Sequence, residues 1–196
     1  QLAYGRCRVG GQLRILGKSG ADGEFLHVLL IHAAHECDGL ADHFVNGDLE
    51  SFSGNASDGE YAGYLEAWDF LGAAGQAASG RLVSAFPGFW SNDHRGDGLC
   101  YTEYRLKYDA QGNVWTNGMP QLSRVMRGKK VYDPRTEATV WSDNWALCVA
   151  DYIMAKTGAV VDDFDEAAWM GAANVSDELV DGRKRYTVNG TIATDE

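Results

Sequence analysis

The stretch VYDPRTEATVWSDNWALCVADYI, residues 131–153, contains both of the residue spacings that decide the fold of this chain. Its first residues alternate as a β-strand does, and Pro134 ends that strand because proline fixes φ and lacks a backbone donor. Apolar residues then recur at helical spacing, which predicts an amphipathic helix. We expect Ser142 or Asp143 to cap its start and Gly158 to end it in the left-handed conformation.

The charged residues of the same stretch could be mistaken for an active site. Asp133 stands in a turn sequence, where a carboxylate commonly accepts from backbone N–H groups. Arg135 lies close enough in sequence to pair with Asp133 or with Asp143. We therefore interpret these residues as a join between a strand and a helix, held by a charge-assisted contact.

Further along the chain in both directions, the pattern is mostly that of β-strands. Asn46-Gly47 separates two short alternating stretches and predicts a tight hairpin, because both turn positions need positive φ. A second helix is predicted from about Asp165, and Asn189-Gly190 suggests a hairpin that the chain does not complete. The predicted strands lie in YGRCRVGGQLRILG, EFLHVLLIHA, CYTEYRLKYD and QLSRVMRGKKVYD.

These patterns predict an α+β, β-dominated fold with an antiparallel, barrel-like sheet domain followed by two helices. We place a β-rich domain at residues 1–140 and the helices plus the start of another β-unit at 141–196. Residues 54–80 fit a helix and a strand equally well. A short helix is suggested over 76–85. The chain opens QLAYGRCRVGG without Met, and we expect it to be a segment of a longer protein.

Composition excludes several classes of protein. Apolar residues make up 45% and charged residues 23% of the 196, which is typical of a globular domain. The formal net charge of -11 disfavours nucleic acid as a partner, since phosphate binding needs clustered Lys and Arg. No apolar run approaches the roughly 18 residues of a membrane span. We interpret two small basic clusters as solvated strand faces: Arg124, Arg127, Lys129 and Lys130, and Arg183 to Arg185.

The four cysteines are widely spaced and favour free thiols in a reducing compartment. They stand at positions 7, 37, 100 and 148, and none forms a CxxC pair. This spacing matches neither the usual zinc sites nor a thioredoxin-type motif. The sequons at Asn55, Asn174 and Asn189 are interpreted as coincidental.

One segment supports an alternative function, a metal-dependent hydrolase. HVLLIHAAHECDGLADH, from His27 to His43, holds four of the five histidines together with Glu36, Cys37 and Asp38. Such a hydrolase would use His32, His35 and Asp38, and His35, Cys37 and His43 could converge only if a turn brought them together. The spacing argues against it, because HAAHE is not HExxH and residues three or five apart face opposite sides of a strand. We therefore predict no metal ligand and no cofactor.

Two further alternatives come from the acidic and aromatic residues. Paired carboxylates could act in general acid–base catalysis, but turn-like neighbours more often cap helices or face water. A carbohydrate-binding module could use exposed aromatic rings, yet Trp90, Trp115 and Trp141 stand where rings often seal a core. We predict no catalytic residue and no enzyme. The carboxylate groups are Asp22/Glu24, Asp58/Glu60 and Asp162/Asp163/Asp165/Glu166.

Several motifs together resemble a known family. RGKKVYDPRT followed by WSDNxALCxxDY is similar to the tail tip attachment proteins, or central tail hubs, of long-tailed bacteriophages of the lambda protein J type. The resemblance covers nearly the whole chain, with residues 54–80 matching least well, and Trp145 stands where the family commonly has Pro. The supporting motifs are GFWSNDHRGDGLCYTEYRLKYD, NGMPQLSRVM, YGRCRVGG, FLHVLLIHAAHECDG, FVNGDLES, AANVSDELV and RKRYTVNGTI.

The resemblance implies a structural role in tail assembly, host attachment and DNA delivery. Copies would assemble as a trimer with other tail tip and tail tube proteins, and a region outside this chain would contact the host receptor. It implies a location in the virion tail after assembly in the bacterial cytoplasm. No catalytic residue is implied for any position of this sequence.

Overall fold

Strands dominate the fold, as the alternating sequence predicts. The computed structural model describes residues 1–193. Its strands are β1 (Leu2–Tyr4), β2 (Arg6–Val9), β3 (Gln12–Ser19), β4 (Phe25–Ala33), β5 (Gly39–Val45), β6 (Asp48–Glu50), β7 (Phe52–Ser53), β8 (Ala56–Ser57), β9 (Leu65–Phe70), β10 (Cys100–Lys107), β11 (Leu122–Arg127), β12 (Lys130–Asp133), β13 (Ala138–Trp141), β14 (Leu179–Val180), β15 (Arg183–Lys184) and β16 (Gly190–Ile192). The helices are α1 (Gly80–Ala85), α2 (Trp145–Thr157) and α3 (Glu166–Asp177), with 3-10 turns at Ala21–Gly23 and Val161–Asp163.

This composition confirms the α+β, β-dominated fold class. Every pairing whose register is resolved is antiparallel. Residues 1–193 form open sheets and no closed barrel. No helix in this range has the length and apolarity needed to cross a membrane.

The chain divides into two compact units. Gln1–Cys7 and the described part of Arg127–Glu196 form unit 1, and Arg8–Met126 form unit 2. These units are compact regions of one chain and do not test the predicted domain boundary after residue 140, which stays a prediction. Each unit has its own buried apolar core.

Unit 2 contains a six-stranded sheet in the order β3–β4–β10–β9–β8–β7. Its interior strand β4 is apolar almost throughout because both of its faces are buried. Val28 and Leu30 contribute to one cluster with Leu65 and Tyr104. Leu29 lies in another cluster on the opposite side, with Leu82 of α1 and with Tyr101.

The Asn-Gly prediction in unit 2 is confirmed. Asn46 and Gly47 have φ of 53° and 102° and connect β5 to β6 in register. These strands belong to a four-stranded sheet with the order β2–β11–β5–β6. The positive φ values explain why this dipeptide predicts the turn so well.

Residues 54–80, which sequence spacing left open, form mainly strand and turn. The buried carboxylate of Glu50 organises the segment that follows it. It accepts from the backbone N–H of Tyr61 at 3.0 Å and from the hydroxyl of Ser57. The helix suggested over 76–85 begins only at Gly80, because the Ser79 hydroxyl accepts from the N–H of Leu82 and caps it there.

Unit 1 contains a hairpin that the sequence pattern did not reveal. Pro134 ends β12 as predicted, but β13 follows and pairs with β12 before the helix begins. The turn includes Glu137 at φ 54°, a positive value without a glycine to signal it. The stretch 131–153 is therefore strand, turn, strand and helix.

The end of the described chain differs from its prediction. Asn189-Gly190 makes no hairpin turn, because Gly190–Ile192 is strand β16 and pairs with β1. A hairpin does form a few residues earlier in the chain. Asp181 and Gly182, both at positive φ, connect β14 to β15 there. The first and last described strands are thus joined in one two-stranded sheet.

Candidate functional site

A buried arginine is the centre of the most extensive polar network in unit 2. The side chain of Arg124 on β11 is 1% exposed, so the prediction of a solvated face is wrong at this position. Its guanidinium donates to both carboxylate oxygens of Asp69, to the hydroxyl of Thr102 at 3.1 Å and to the carbonyl of Ala41 at 2.8 Å. Such pairing is what a buried charge requires. We call Arg124, Asp69, Thr102 and His32 the Arg124 network.

Hydrogen-bond counting assigns the protons of this network. The Thr102 hydroxyl donates to Asp69 at 2.9 Å, since a carboxylate can only accept. His32 Nε2 lies 3.0 Å from the same hydroxyl oxygen and must therefore carry the proton. Burial, reinforced by Arg124 and opposed by Asp69, lowers the pKa of His32 to about 4. The imidazole is neutral and acts as a donor near pH 7.

His43 is held in a similar neutral state. It stacks on Phe52 with ring centroids 3.8 Å apart and lies 3.4 Å from the hydroxyl of Tyr104. Burial and the nearby Arg124 lower its pKa to about 4. Both histidines therefore behave as parts of the interior.

The histidine segment does not assemble into a metal centre within residues 1–193, where no group of three or more His, Cys, Asp or Glu side chains is arranged to hold an ion. His32 contacts Thr102, and His35 Nδ1 lies 2.8 Å from the carbonyl of Glu36. His27 contacts Ser19 at 2.8 Å. The histidines thus have separate local partners, which gives the metal-dependent alternative no support.

In unit 1, the polar residues of the opening stretch form a second network. Arg135 donates from Nε and Nη2 to Asp133 at 2.9 and 2.7 Å, and from Nη2 to Asp177 of α3 at 2.9 Å. Lys184 bridges Asp143 at 2.7 Å and Asp177 at 2.9 Å. The hypothesis that Arg135 pairs with Asp133 is confirmed, whereas Asp143 pairs with Lys184. We call Arg135, Asp133, Asp177 and Lys184 the Arg135 clasp.

The clasp shifts the pKa values of its own members. The hydrogen bonds from Arg135 lower the pKa of Asp133, outweighing the opposite effect of burial. Burial alone would raise the pKa of Asp177, but the donors on Lys184 and Arg135 lower it. All these groups are held in their charged forms, which suits a structural ion-pair network.

The cap of α2 is Asn144 rather than Ser142 or Asp143. Its side-chain oxygen accepts from the N–H groups of Ala146 and Leu147 at 3.0 and 3.3 Å. Its amide donates to the carbonyl of Ala173 in α3 at 2.8 Å. One fully buried side chain therefore starts α2 and joins it to α3.

The remaining polar groups of this stretch are also engaged. Asp151 accepts from the hydroxyl of Tyr4 at 2.6 Å and from Lys129 at 2.7 Å. Cys148 is a buried free thiol, and its burial, followed by the charges of Asp151 and Asp143, raises its pKa to about 12. A thiol of this kind is not a nucleophile near neutral pH.

Trp90, Trp115 and Trp141, the three candidate platform residues, each pack against a different partner. Trp115 stacks on Tyr61 with centroids 5.1 Å apart, and its indole N–H donates to the carbonyl of Lys107. Trp90 stacks on His94 with centroids 4.6 Å apart. In unit 1, Trp141 lies beneath the guanidinium of Arg127. Each ring has its own partner, as the core-sealing interpretation expects.

Among the predicted carboxylate groups, two members act as local caps. Asp165 accepts from the N–H of Ala168 at 2.9 Å and starts α3, as predicted. Asp163 accepts from the N–H of Val160 at 2.9 Å. Sequence reasoning missed a different carboxylate, Glu103, which is fully buried on β10 among Ser79, His27 and Arg81. Its alternation within CYTEYRLKYD gave no sign of burial.

Comparisons with known proteins give little guidance. No protein-family model matches the chain, and no curated protein sequence matches it. Among solved structures, a chain from "Virion of native gene transfer agent (GTA) particle" is similar with a TM-score of 0.46 and 17% identity. The match covers 96% of this chain and 45% of that one, so this chain spans less than half of it. Similarity at this level does not decide a function.

Proposed function

We propose that this chain is a structural component of a virion, part of the central hub at the distal tail tip of a long-tailed bacteriophage or prophage. Its role is mechanical, in tail assembly, host attachment and DNA delivery. The observation that carries the proposal is the stretch 131–153, where the motifs that resemble the family coincide with a framework of intrachain bonds. The assembly role itself needs no catalytic residue.

The geometry of unit 1 supports this interpretation of the motif. In VYDPRT, Asp133 and Arg135 bind each other and α3, and in WSDN, Asn144 joins α2 to α3. Val131 and Leu147 of the same motifs lie in the core of the unit. A motif whose residues are used in this way specifies an architecture.

Exposed apolar side chains on short or outer strands supply surfaces for partners. In unit 2, β3 is the outer strand of its sheet among the described residues, and Leu16 on it is 56% exposed. In unit 1, Leu179 of the hairpin β14–β15 is 72% exposed. Outer strands with exposed apolar residues favour association with other chains. We propose other copies of this protein, as a trimer, and further tail tip and tube proteins as those partners.

The proposal places the protein in the virion tail, after assembly in the bacterial cytoplasm. Host receptor binding is assigned to a region outside this chain. The net charge of -11 supports partners other than nucleic acid.

The location of the protein in purified particles tests the proposal. Antibodies raised against this chain should label the distal tail tip in electron micrographs, and quantitative mass spectrometry should give copy numbers in multiples of three. Particles from a host whose gene is deleted provide the matched control. Absence of the protein from purified particles would remove the proposal.

A further inference from the structure

Three strands of unit 2 bring a serine, a histidine and a glutamate to one face of the sheet. Gly17 of β3 and Arg105 of β10 are the direct partners of His27 on β4. Ser19 and Glu103 each lie two residues from those partners, at diagonal positions on the same side. The sheet register thus places three side chains in a line, although Ser19 is 8 residues and Glu103 is 76 residues from His27 in the sequence.

The distances follow the order of a nucleophile, a base and a positioning carboxylate. Ser19 Oγ lies 2.8 Å from His27 Nε2. On the other side of the ring, His27 Nδ1 lies 3.4 Å from Glu103 Oε1. The second oxygen of Glu103 accepts from the hydroxyl of Ser79, which fixes the carboxylate. A serine activated by a base that is itself oriented by a third group has this arrangement.

Burial distinguishes this set from an ordinary surface contact. His27 is 2% exposed and Glu103 is fully buried. The two atoms that face each other, Nδ1 and Oε1, make no hydrogen bond to any residue of the described chain. Unsatisfied buried polar atoms are costly and uncommon in native proteins. Catalytic hydrogen bonds are often long in the free protein and shorten when a substrate binds, and the His27–Glu103 pair has this geometry.

A cavity opens directly onto the serine and the histidine. It has a volume of about 790 Å³ and is lined by Ser19, His27 and the guanidinium groups of Arg81 and Arg105. Phe86 also contacts His27: its ring meets the imidazole edge-on, with ring centroids 5.3 Å apart. Gly17 is required there, since a Cβ at this position would stand 2.7 Å from the Phe86 ring. The imidazole is therefore packed against Phe86 on one side, and its small exposed edge lines the cavity beside Ser19.

We propose that Ser19, His27 and Glu103 form a nucleophilic site that hydrolyses carboxylic esters. Ser19 Oγ attacks the carbonyl carbon and transfers its proton to His27 Nε2. The bond to the leaving alcohol breaks as His27 returns that proton to the leaving oxygen. Water, deprotonated by His27, then attacks the acyl-serine and releases the acid, and the serine regains its proton. Glu103 is a positioning residue that holds Nδ1–H toward itself, and Arg81 and Arg105 stabilise the negative carbonyl oxygen.

This activity goes beyond the proposed assembly role and does not depend on it. It also departs from the prediction of no enzyme, which was based on motifs. No local motif could reveal the site, because its residues come from three strands and meet only through sheet register.

Covalent labelling of the purified chain tests the nucleophile. A fluorophosphonate probe should bond to Ser19 Oγ with loss of fluoride, and peptide mapping should locate it there. Ser19→Ala should abolish this adduct, and His27→Gln should slow it by at least about 100-fold. Ser91 is the matched control, since its hydroxyl lies 3.1 Å from His94 Nδ1 on the exposed surface. Ser91→Ala should label as the original protein does.

Two results would overturn the proposal. One is the absence of a Ser19 adduct in the original protein, whose fold is unaltered. The other comes from nitrogen-15 NMR of His27, which should show protonated Nδ1 and unprotonated Nε2. If Nε2 carries the proton, it donates to Ser19 and cannot act as its base. Glu103→Gln should change the tautomer populations and slow labelling, and an unchanged tautomer ratio would contradict the positioning role.

Discussion

The two units each rely on an arginine paired with carboxylates, but in different surroundings. In unit 2, the side chain of Arg124 is 1% exposed and donates to groups on three other strands, Ala41 of β5, Asp69 of β9 and Thr102 of β10. In unit 1, the side chain of Arg135 is 22% exposed and pairs with Asp133 two residues away and with Asp177. The same kind of interaction is therefore an interior element in one unit and a surface clasp in the other.

The exposure of each arginine and its partners decides how much the pairing contributes to stability. Solvent screens the partly exposed clasp, so its removal loses little. Arg124 is buried, and its removal takes away the donors of the Ala41 carbonyl and of Asp69, whose side chain is 33% exposed. Loss of these charge-assisted hydrogen bonds costs more than loss of the solvent-screened clasp.

The largest effect is expected from Arg124→Met. The substitution leaves the Ala41 carbonyl without its donor and removes the charge partner of Asp69, whose side chain is 33% exposed and keeps the hydrogen bond from Thr102. It should lower the free energy of unfolding by about 3 kcal/mol. Urea denaturation measures this loss of stability, and hydrogen exchange of the β10 amides shows whether it falls in unit 2. Arg14→Met is the matched control, because Arg14 is exposed and bonds only to Gln12 among the interactions resolved for it. A change below about 1 kcal/mol in Arg124→Met would contradict the network as a stabilising element.

Acid should weaken unit 2 before it weakens the clasp. The pKa of His32 is about 4 in the folded chain against 6.5 for the free side chain, so the unfolded chain binds more protons between these values. Stability is therefore full above about pH 6.5 and falls toward pH 4, by about 3 kcal/mol for this group. The lowered pKa of Asp133 acts in a lower window, where protonation below its ordinary value releases Arg135.

Thermal unfolding between pH 7 and pH 4 measures this prediction. His32→Gln keeps a side-chain donor for Thr102 and should reduce the slope by about half, because the pKa of His43 is also lowered to about 4 and contributes over the same range. An equal slope in the original protein and the variant would show that His32 does not titrate as described.

A smaller effect is expected at the start of α2. Asn144→Ala removes a helix cap and leaves the Ala173 carbonyl without its partner, which should cost about 2 kcal/mol. Ser142→Ala is the matched control, because Ser142 accepts only from the N–H of Asn144 among the contacts resolved for its hydroxyl. It should cost well under half as much. Equal losses in urea denaturation would restore the prediction that Ser142 or Asp143 is the cap.

The smallest effect is expected from Arg135→Ala. Two ion pairs and a bond to Asn174 are lost, but water replaces them at this partly exposed position. The cost should be about 1 kcal/mol, clearly below that of Arg124→Met. Denaturation of both variants under the same conditions checks the ranking, and a larger loss in Arg135→Ala would reverse the comparison.

Local signals in the sequence predicted much of the fold. Asn46-Gly47 and Gly158 were found because their positive φ favours these residue types, and β4 because an interior strand is apolar on both faces. Strand β13 was missed because Glu137 takes a positive φ without a sequence signal. The cap of α2 was misplaced because three adjacent residues can all cap, and only the Ala173 carbonyl distinguishes Asn144.

The interior polar residues could not be predicted in the same way. Arg124 looks like part of a basic surface cluster until Asp69, 55 residues away, is placed beside it. Glu103 alternates with apolar residues as an exposed strand residue would. Long-range sheet register, which the sequence does not show, decides whether such charges are solvated or paired inside.

The oligomeric state of the full-length protein tests the central proposal most directly. Sedimentation or mass photometry, with chemical cross-linking at micromolar concentration, measures it. We expect a homo-oligomer, with three copies as the assembled form. A protein that remains monomeric throughout that concentration range would contradict its assignment to a tail hub.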